Sequence, residues 1–117
     1  MKHLKDKRPW GYYEVLLDDE NCKVKRIVVN PGAQLSLQYH NHRSEVWTII
    51  EGIALWTVNG VSGESKPGQV IQIMQGRHHR VKNEKDEPLI FIEVQYGTYF
   101  GEDDIVRLED DYGRTEE

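Results

Sequence analysis

The chain has 117 residues, of which 38% are hydrophobic and 30% are charged, and its formal net charge is −5. This length suits one domain with a modest core, and the apolar share argues against intrinsic disorder. No window approaches the ~18 consecutive apolar residues of a membrane span, and no basic face stands out, so we expect neither a membrane nor a nucleic acid as partner.

The cysteine content and the N-terminal segment favour the cytoplasm. Cys22 is the single cysteine, so no intrachain disulfide can form, as is common in a reducing compartment. The opening "MKHLKDKRPW" is basic but no apolar run follows it, unlike a secretory signal. The acid excess lies in residues 101–117, which hold eight acids against two arginines. The rest of the chain is therefore close to neutral and can still bind a small anion.

Apolar residues alternate with polar ones along most of the chain. The strand-like runs, in order, are "YYEVLL", "KVKRIVV", "QLSLQYH", "EVWTII", "IALWTV", "QVIQIM" and "LIFIEVQ", with turn residues between them. Asn59-Gly60 predicts a two-residue hairpin. Seven to nine short strands at this spacing indicate an all-β sandwich or barrel. We expect one domain over 1–117, with the barrel over 8–100 and an acidic segment over 101–117 that forms a helical turn or lies across the surface.

The stretch "QLSLQYHNH" places polar groups where a strand face should pack. On one strand, Ser36, Gln38, His40 and His42 share a face, and two imidazoles two residues apart can ligate one cation. Glu45 follows after a break in the alternation, and a turn or bulge there can bring its carboxylate to the same point. Taken alone, such a histidine pair more often faces solvent than binds a metal.

A second histidine pair, His78-His79, follows a glycine turn in the second half of the chain. Adjacent residues on a strand face opposite ways, so only one of the two can point inward. Three histidines and a carboxylate predict one divalent metal ion of the set Zn, Mn, Fe, Co and Ni, and do not choose among them.

These blocks resemble the two cupin motifs. The first motif is matched by Gly32, His40, His42, Glu45 and Gly52, and the second by Gly68, Gly76, His79 and Asn83. Seven residues separate Gly32 from His40 where five are usual, and two separate His42 from Glu45 where three or four are usual. The second motif selects His79 over His78 as the ligand. The resemblance implies an all-β cupin, a double-stranded β-helix or jelly-roll barrel with little helix.

The segments "RPWGYYEVL", "KVKRIVVNPGAQLSLQYHNHRSEVW" and "IEVQYGTYFGEDDIVRLEDDYGR" narrow the resemblance. They look like the type II mannose-6-phosphate isomerase cupin, usually the C-terminal domain of bifunctional mannose-1-phosphate guanylyltransferase/mannose-6-phosphate isomerase. This implies a metal-dependent interconversion of mannose 6-phosphate and fructose 6-phosphate through an enediol, in GDP-mannose biosynthesis. Guanylyltransferase activity is not expected, because no nucleotidyltransferase domain lies within these residues. The alternatives are a non-catalytic, metal-containing sugar-phosphate-binding cupin and a cupin dioxygenase.

An enediol reaction needs a base of near-neutral pKa, and Glu93 is the first choice. It shares a strand face with the apolar Leu89 and Phe91, so burial should raise its pKa, and Gln95 lies on the same face. The competing interpretation makes Glu93 a partner that orients a ligand histidine. Glu45 itself is the other candidate base, which would leave three histidines on the metal.

Four further residues, Arg43, Gln38, Gln95 and Ser36, are candidates for substrate contact, and Lys25 is a second candidate catalytic residue. Lys25 shares a face with inward-pointing residues and can stabilise an enediolate, although an edge-strand lysine that blocks aggregation has the same pattern. Arg43 can bind a phosphate with its guanidinium. Gln38 faces the metal or the sugar, and Ser36 lies deeper on that face. Arg107, in the acidic segment, is expected to pair with acids there.

A row of apolar residues, Leu35, Leu37 and Tyr39, lies opposite the predicted ligand face. If the ligands point into a barrel, this row needs a cover from outside, and a chain of this length has little material to provide one. We therefore expect a homodimer with twofold symmetry.

Overall fold

The computed structural model describes residues 4–112, and every regular element in that range is a β-strand. The strands in chain order are β1 (Lys5–Arg8), β2 (Gly11–Asp18), β3 (Cys22–Val29), β4 (Leu37–Tyr39), β5 (Arg43–Glu51), β6 (Ala54–Val58), β7 (Val61–Ser65), β8 (Val70–Ile73), β9 (His79–Lys82), β10 (Leu89–Gly97) and β11 (Val106–Glu109). Between residues 4 and 112 no helix is long and apolar enough to cross a membrane.

The strands form two antiparallel sheets. The first has the order β1-β2-β3-β10-β5-β8, and the second has the order β11-β4-β9-β6-β7. The predicted all-β class is confirmed. The predicted hairpin joins β6 to β7, and Asn59 and Gly60 have φ angles of 46° and 81°, the positive values that a tight two-residue turn of this kind requires.

The core lies between the two sheets and consists of alternate residues from their strands. The largest buried side chains include Trp47, Phe91, Ile49 and Leu89, and the Trp47 and Phe91 rings are 5.0 Å apart. Burying such side chains contributes roughly 1.5–3 kcal/mol each, so this cluster supplies much of the folding free energy. At one end of the interior, the inward face of the first sheet is therefore continuously apolar.

Towards the other end, the inward positions of the same central strands become polar. The register places Glu93 of β10 opposite Lys25 of β3 and Trp47 of β5. Two residues further along, Gln95 lies opposite Lys23 and Glu45. Directly opposed residues in an antiparallel pair have Cβ atoms about 4.5–5.5 Å apart, so this alternation gathers polar side chains at one end of the interior.

The predicted strand through "QLSLQYHNH" is interrupted. β4 covers only Leu37–Tyr39, and residues 40–42 form a turn before β5 begins at Arg43. Leu35 packs against the core and lines a cavity, so it does not belong to an outward apolar row with Leu37. Part of the argument for a homodimer therefore falls away, because one of the three residues that needed a cover is already covered.

The homodimer itself stays a prediction. Leu37 and Tyr39 are half-buried, and Tyr39 stacks on the His78 ring at 5.0 Å. Light scattering at micromolar concentration should give about twice the chain mass of 13.7 kDa. A mass near that of one chain would contradict the prediction.

The acidic segment contributes a strand instead of a helical turn. β11 pairs with β4 through Val106↔Tyr39 and Arg107↔Gln38. The expected barrel boundary at residue 100 is therefore not a structural boundary, because the second sheet includes residues 106–109. This pairing brings the acidic segment against β4, the strand that directly precedes the predicted ligands His40 and His42.

Candidate metal centre and adjoining pocket

Three residues from different parts of the chain form a compact ligand cluster. His40 follows β4, Glu45 lies in β5, and His79 begins β9. One ligand atom from each lies within 4.8 Å of the others, and all three side chains are at most 3% exposed. Two imidazole nitrogens and a carboxylate are a donor set suited to Zn²⁺ and related divalent ions.

Both imidazoles are held with the same nitrogen towards the cluster. His40 Nδ1 donates to the Asp104 carbonyl at 2.5 Å, and His79 Nδ1 donates to the Arg77 carbonyl at 2.9 Å. Because a carbonyl can only accept, each Nδ1 carries a hydrogen and each neutral ring offers its Nε2 lone pair to the cluster. Such orientation of the remote nitrogen is typical of metal-binding histidines.

The Nε2 atoms and the Glu45 carboxylate face one another. His40 Nε2 lies 3.2 Å from Glu45 Oε2, and His79 Nε2 lies 3.9 Å from Glu45 Oε1. His79 Nε2 is buried and has no hydrogen-bond partner among the described residues. An unpartnered buried lone pair beside a carboxylate fits a cation, so these residues suit a divalent metal.

The pKa shifts agree with a cation site. Burial raises the pKa of Glu45, but the hydrogen bond from His40 and the charges of His40, His79 and Arg43 hold it well below its usual range. Burial also lowers the pKa of His79. For His40, burial lowers the pKa, and the hydrogen bond and charge of Glu45 outweigh it, so the pKa is raised. A metal would therefore bind an ionised carboxylate and displace a proton from one imidazole.

Arg43 lies beside the cluster and is buried. Its Nε donates to Glu45 Oε2 at 3.0 Å, and its Nη2 lies 3.3 Å from His40 Nε2. Trp47 Nε1 donates to the other oxygen of Glu45 at 3.0 Å. These donors fix the carboxylate, so Arg43 orients Glu45 in this structure. Contact of Arg43 with a phosphate stays a prediction, because Arg43 also lines the cavity and its Nη1 has no hydrogen-bond partner among the described residues.

His42 is not brought to the cluster, which corrects its predicted place among the ligands. Its side chain is 56% exposed, and its Nδ1 lies 3.1 Å from Asp104 Oδ1. The reason is local: the strand ends at Tyr39, so the strand alternation that put His42 beside His40 does not extend through the turn.

A different register of the first cupin motif agrees with this geometry. Five residues separate Gly32 from Gln38, and four separate His40 from Glu45, which are the usual spacings if Gln38 occupies the position of the first histidine. Gln38 is also the β4 residue that lies opposite His79 in the sheet. Its Oε1 accepts a hydrogen bond from Ser36 Oγ at 2.8 Å.

A cavity of about 380 Å³ adjoins the cluster. It contains the predicted Ser36, Gln38, Lys25, Glu93 and Arg43, whereas Gln95 is not in its lining. The lining side chains that bear or can bear charge are Lys7, Arg8, Lys25, His40, Arg43, Glu93, Glu102 and Arg107. Cationic groups outnumber carboxylates, so the cavity is suited to an anionic ligand.

Glu93 has the environment of a general base. It is 6% exposed in all, and it lines the cavity. Burial and the negative charge of Glu45 raise its pKa to about 7, against the opposing charges of Lys25 and Arg43. Gln95 Nε2 donates to its Oε1 at 2.5 Å, so Gln95 lies behind Glu93 as a support and not in the cavity wall.

Lys25 points inward as predicted, and its partner was not predicted. Its Nζ lies 2.7 Å from Glu102 Oε2 and 4.0 Å from the centre of the Tyr13 ring. Glu102 also binds Lys23 at 3.1 Å. Burial raises the pKa of Glu102, but Lys25 and Lys23 outweigh it, so the pKa is lowered. In the sequence, the acidic run at 102–104 was the one sign of a partner for Lys25, but such runs usually face solvent.

Comparison with known families gives a match over most of the chain. The family described as Mannose-6-phosphate isomerase C-terminal matches residues 1–110. The chain belongs to this family. It contains the cluster and the cavity within the matched range, and its resemblance to the type II isomerase cupin is confirmed.

Curated relatives include two biosynthesis proteins, for xanthan and for alginate, and a guanylyltransferase. Xanthan biosynthesis protein XanB of Xanthomonas campestris is 49% identical over 97% of this chain and 24% of its own length. Alginate biosynthesis protein AlgA of Pseudomonas aeruginosa is 45% identical over 98% and 24%. Mannose-1-phosphate guanylyltransferase ManC of Salmonella typhimurium is 44% identical over 96% and 23%. The chain thus spans about a quarter of the length of these relatives.

Solved structures with lower identity show the fold. A double-stranded β-helix protein from Klebsiella pneumoniae has a TM-score of 0.77 and 24% identity, and the match covers 92% of this chain and 87% of that one. Oxalate decarboxylase from Bacillus subtilis has a TM-score of 0.79 and 22% identity, over 91% and 30%. The capsular polysaccharide assembling protein CapF from Staphylococcus aureus has a TM-score of 0.82 and 16% identity, over 92% and 34%. The predicted cupin fold is confirmed.

Proposed function

We propose that this domain is a metal-dependent aldose–ketose isomerase that interconverts mannose 6-phosphate and fructose 6-phosphate. One observation carries the proposal: Glu93, with a pKa of about 7, shares a cationic cavity with His40 of the His40–Glu45–His79 cluster. An isomerase of this class needs a base, a stabiliser of negative charge and a binding site for a phosphate. The family membership supports the same reaction.

His40, Glu45 and His79 would hold the metal, and the amide oxygen of Gln38 is the added ligand that the motif spacing favours. A bound divalent ion would supply Lewis-acid stabilisation of the negative charge on the sugar oxygens. Arg43 and Trp47 hold the carboxylate of Glu45 in place. This leaves Glu93, and not Glu45, as the base, because Glu45 keeps its charge through contacts that oppose protonation.

Glu93 would remove the proton from one of the two adjacent carbons and return it to the other. Its pKa of about 7 lets it accept and release a proton at neutral pH. Gln95 fixes one oxygen of the carboxylate, so the other is left for the substrate. Lys25 faces Glu93 across the sheet and can place its ammonium near the enediolate oxygens.

The phosphate would lie among the cations at the β1 side of the cavity. Lys7 and Arg8 line it there, and no hydrogen bond or ion pair engages the Lys7 ammonium within residues 4–112. Arg107 lines the cavity as well, where the sequence suggested only pairing with acids. Arg43 is less suited, since it binds Glu45 and lies against His40.

Lys7→Met is expected to raise KM for fructose 6-phosphate by roughly 10-fold with little change in kcat, because a hydrogen bond to a charged group contributes about 1.5–3 kcal/mol. Steady-state kinetics test this. Lys5→Met is the matched control, because Lys5 lies over the Tyr12 ring and is not in the cavity lining. An unchanged KM in Lys7→Met would place the phosphate elsewhere.

The pH dependence follows from the raised pKa of Glu93. The base must be ionised, so kcat/KM should be low below pH 7 and rise as the pH passes through about 7. The rise should disappear from the residual activity of Glu93→Gln. A wild-type profile that is flat between pH 5.5 and 8.5 would contradict the role of Glu93.

Isomerisation in D₂O tests the reaction type. Proton transfer through an enediol predicts deuterium at C2 of mannose 6-phosphate formed from fructose 6-phosphate, because the base exchanges its proton with solvent. Mass spectrometry and NMR of the product locate the label. Absence of deuterium both from the product and from C1 of the remaining fructose 6-phosphate would contradict a base that exchanges its proton with solvent. Binding without product would favour a non-catalytic sugar-phosphate-binding cupin.

A further inference from the structure

Asp104 makes an unusual set of contacts with the turn that carries the first ligand histidine. Its side chain is 3% exposed. Its Oδ1 accepts from the Asn41 amide at 3.0 Å, and its Oδ2 accepts from the His42 amide at 2.9 Å. Its own carbonyl accepts from His40 Nδ1 at 2.5 Å. One acidic residue thus contacts three consecutive residues of the 40–42 turn.

The turn needs such a partner because the sheet does not hold it. β4 ends at Tyr39, and only Gln38 pairs with β9. The carbonyl groups of the turn are bound by other segments: the Gly76 amide donates to His40, and the Thr98 amide donates to His42. The amides of residues 41 and 42 find their acceptor in Asp104. Charge-assisted bonds from backbone amides to a buried carboxylate are stronger than neutral ones.

Asp104 is itself fixed by a tight turn. Its amide donates to the Gly101 carbonyl at 3.1 Å, and Glu102 within the same turn binds Lys25 and Lys23. The turn therefore connects the buried lysines Lys23 and Lys25 to the 40–42 turn. This connection is made by residues about 60 positions away in the sequence.

We propose that Asp104 is the positioning residue of the metal centre. Its carboxylate fixes the 40–42 turn, and its carbonyl sets the tautomer and the direction of the His40 ring, so that Nε2 points at Glu45. The inference rests on the proposed metal site and goes beyond it, because it assigns the affinity of that site to a residue that would not touch the metal. Removing a partner that orients a ligand typically costs 10–100-fold in metal affinity.

Asp104→Asn is the test variant, with Asp103→Asn as the matched control. The asparagine side chain has one oxygen, so it cannot accept hydrogen bonds from two backbone N–H groups that approach different oxygens. Its NH₂ group would then face one of these N–H groups, donor against donor. Asp103 is exposed and accepts from the Tyr99 hydroxyl, and its substitution makes the same change in charge one residue away. Asp104→Glu is a second variant that keeps the carboxylate but displaces it by one methylene.

Mn²⁺ titration of the metal-free proteins gives the decisive readout. Asp104→Asn should raise the Kd for Mn²⁺ by 10–100-fold, Asp104→Glu should raise it by a smaller factor, and Asp103→Asn should leave it at the wild-type value. Hydrogen exchange of the metal-free protein should be faster at the amides of residues 41 and 42 in Asp104→Asn, and unchanged in the control.

Three results would overturn the proposal. A wild-type Kd in folded Asp104→Asn, or in Asp104→Glu if the first variant does not fold, means that Asp104 acts on stability alone. An equal rise of the Kd for Mn²⁺ in Asp103→Asn means that the loss of a negative charge, and not the contacts of Asp104, is the cause. A wild-type protein that binds neither Mn²⁺ nor Zn²⁺ removes the metal site, and the proposed function with it, whereas normal wild-type binding leaves that function standing.

Discussion

Glu93→Gln should lower the turnover of mannose 6-phosphate and fructose 6-phosphate by roughly 10²–10⁴-fold, the usual contribution of a positioned base. The substitution keeps the shape of the side chain and removes the only group in it that can accept a proton. The metal content and the KM should stay near the wild-type values, because Glu93 is not in the ligand cluster. Steady-state kinetics and elemental analysis of the same sample measure both.

The control is Glu64→Gln, which removes an exposed carboxylate from β7, away from the cavity. It should turn over at the wild-type rate. If Glu93→Gln is active within about threefold of the wild type, Glu93 is not the base. If it loses metal together with activity, the alternative role, orienting the metal centre, is the correct one.

His40→Ala and His79→Ala should each bind metal at least 10-fold more weakly than the wild type, because each removes one of at most four protein ligands. His42→Ala should keep its metal, since the His42 side chain is exposed and lies against Asp104. Elemental analysis after dialysis against metal-free buffer measures the difference.

His78→Ala is the matched control for His79→Ala, because His78 is the exposed neighbour on the same turn. It should retain metal at the wild-type level. Loss of metal in His42→Ala would restore His42 as a ligand, as the sequence predicted. Full metal in His79→Ala would contradict both the cluster and the ligand set predicted from the sequence.

Most of the site residues were predicted from the alternation of inward and outward side chains along the central strands. Lys25 and Glu93 belong to β3 and β10, which pair over their full length, so a period of two holds throughout them. Both residues point inward as predicted, and so does Gln95. The choice of His79 over His78 agrees with the burial of one and the exposure of the other. The inward or outward direction of a side chain is predicted reliably where the strand is hydrogen-bonded to a neighbouring strand on both sides.

The same argument failed where a strand ended. His42 was placed by extending the alternation beyond Tyr39, where the chain turns. The two irregular spacings in the first cupin motif were the signal, because both become regular when Gln38 takes the first position. Leu35 was placed outside for the same reason, and it packs inside.

Contacts distant in sequence could not be predicted from local pattern. Asp104 and Glu102 reach the ligand turn and the buried lysines from a segment whose composition is typical of a solvated tail. Lys7 joins the cavity because β1 pairs with β2 at the edge of the first sheet. Only the folded topology brings these charges to one cavity.

The most direct test of a metal-dependent isomerase uses one preparation in three states. Protein stripped of metal by a chelator, the same protein reloaded with Mn²⁺ or Zn²⁺, and the reloaded His79→Ala variant are each incubated with fructose 6-phosphate, and mannose 6-phosphate is measured over time. The proposed function predicts product in the reloaded wild type and at least 100-fold less in the other two. Equal product in the stripped and reloaded wild type, or none in either, would contradict it.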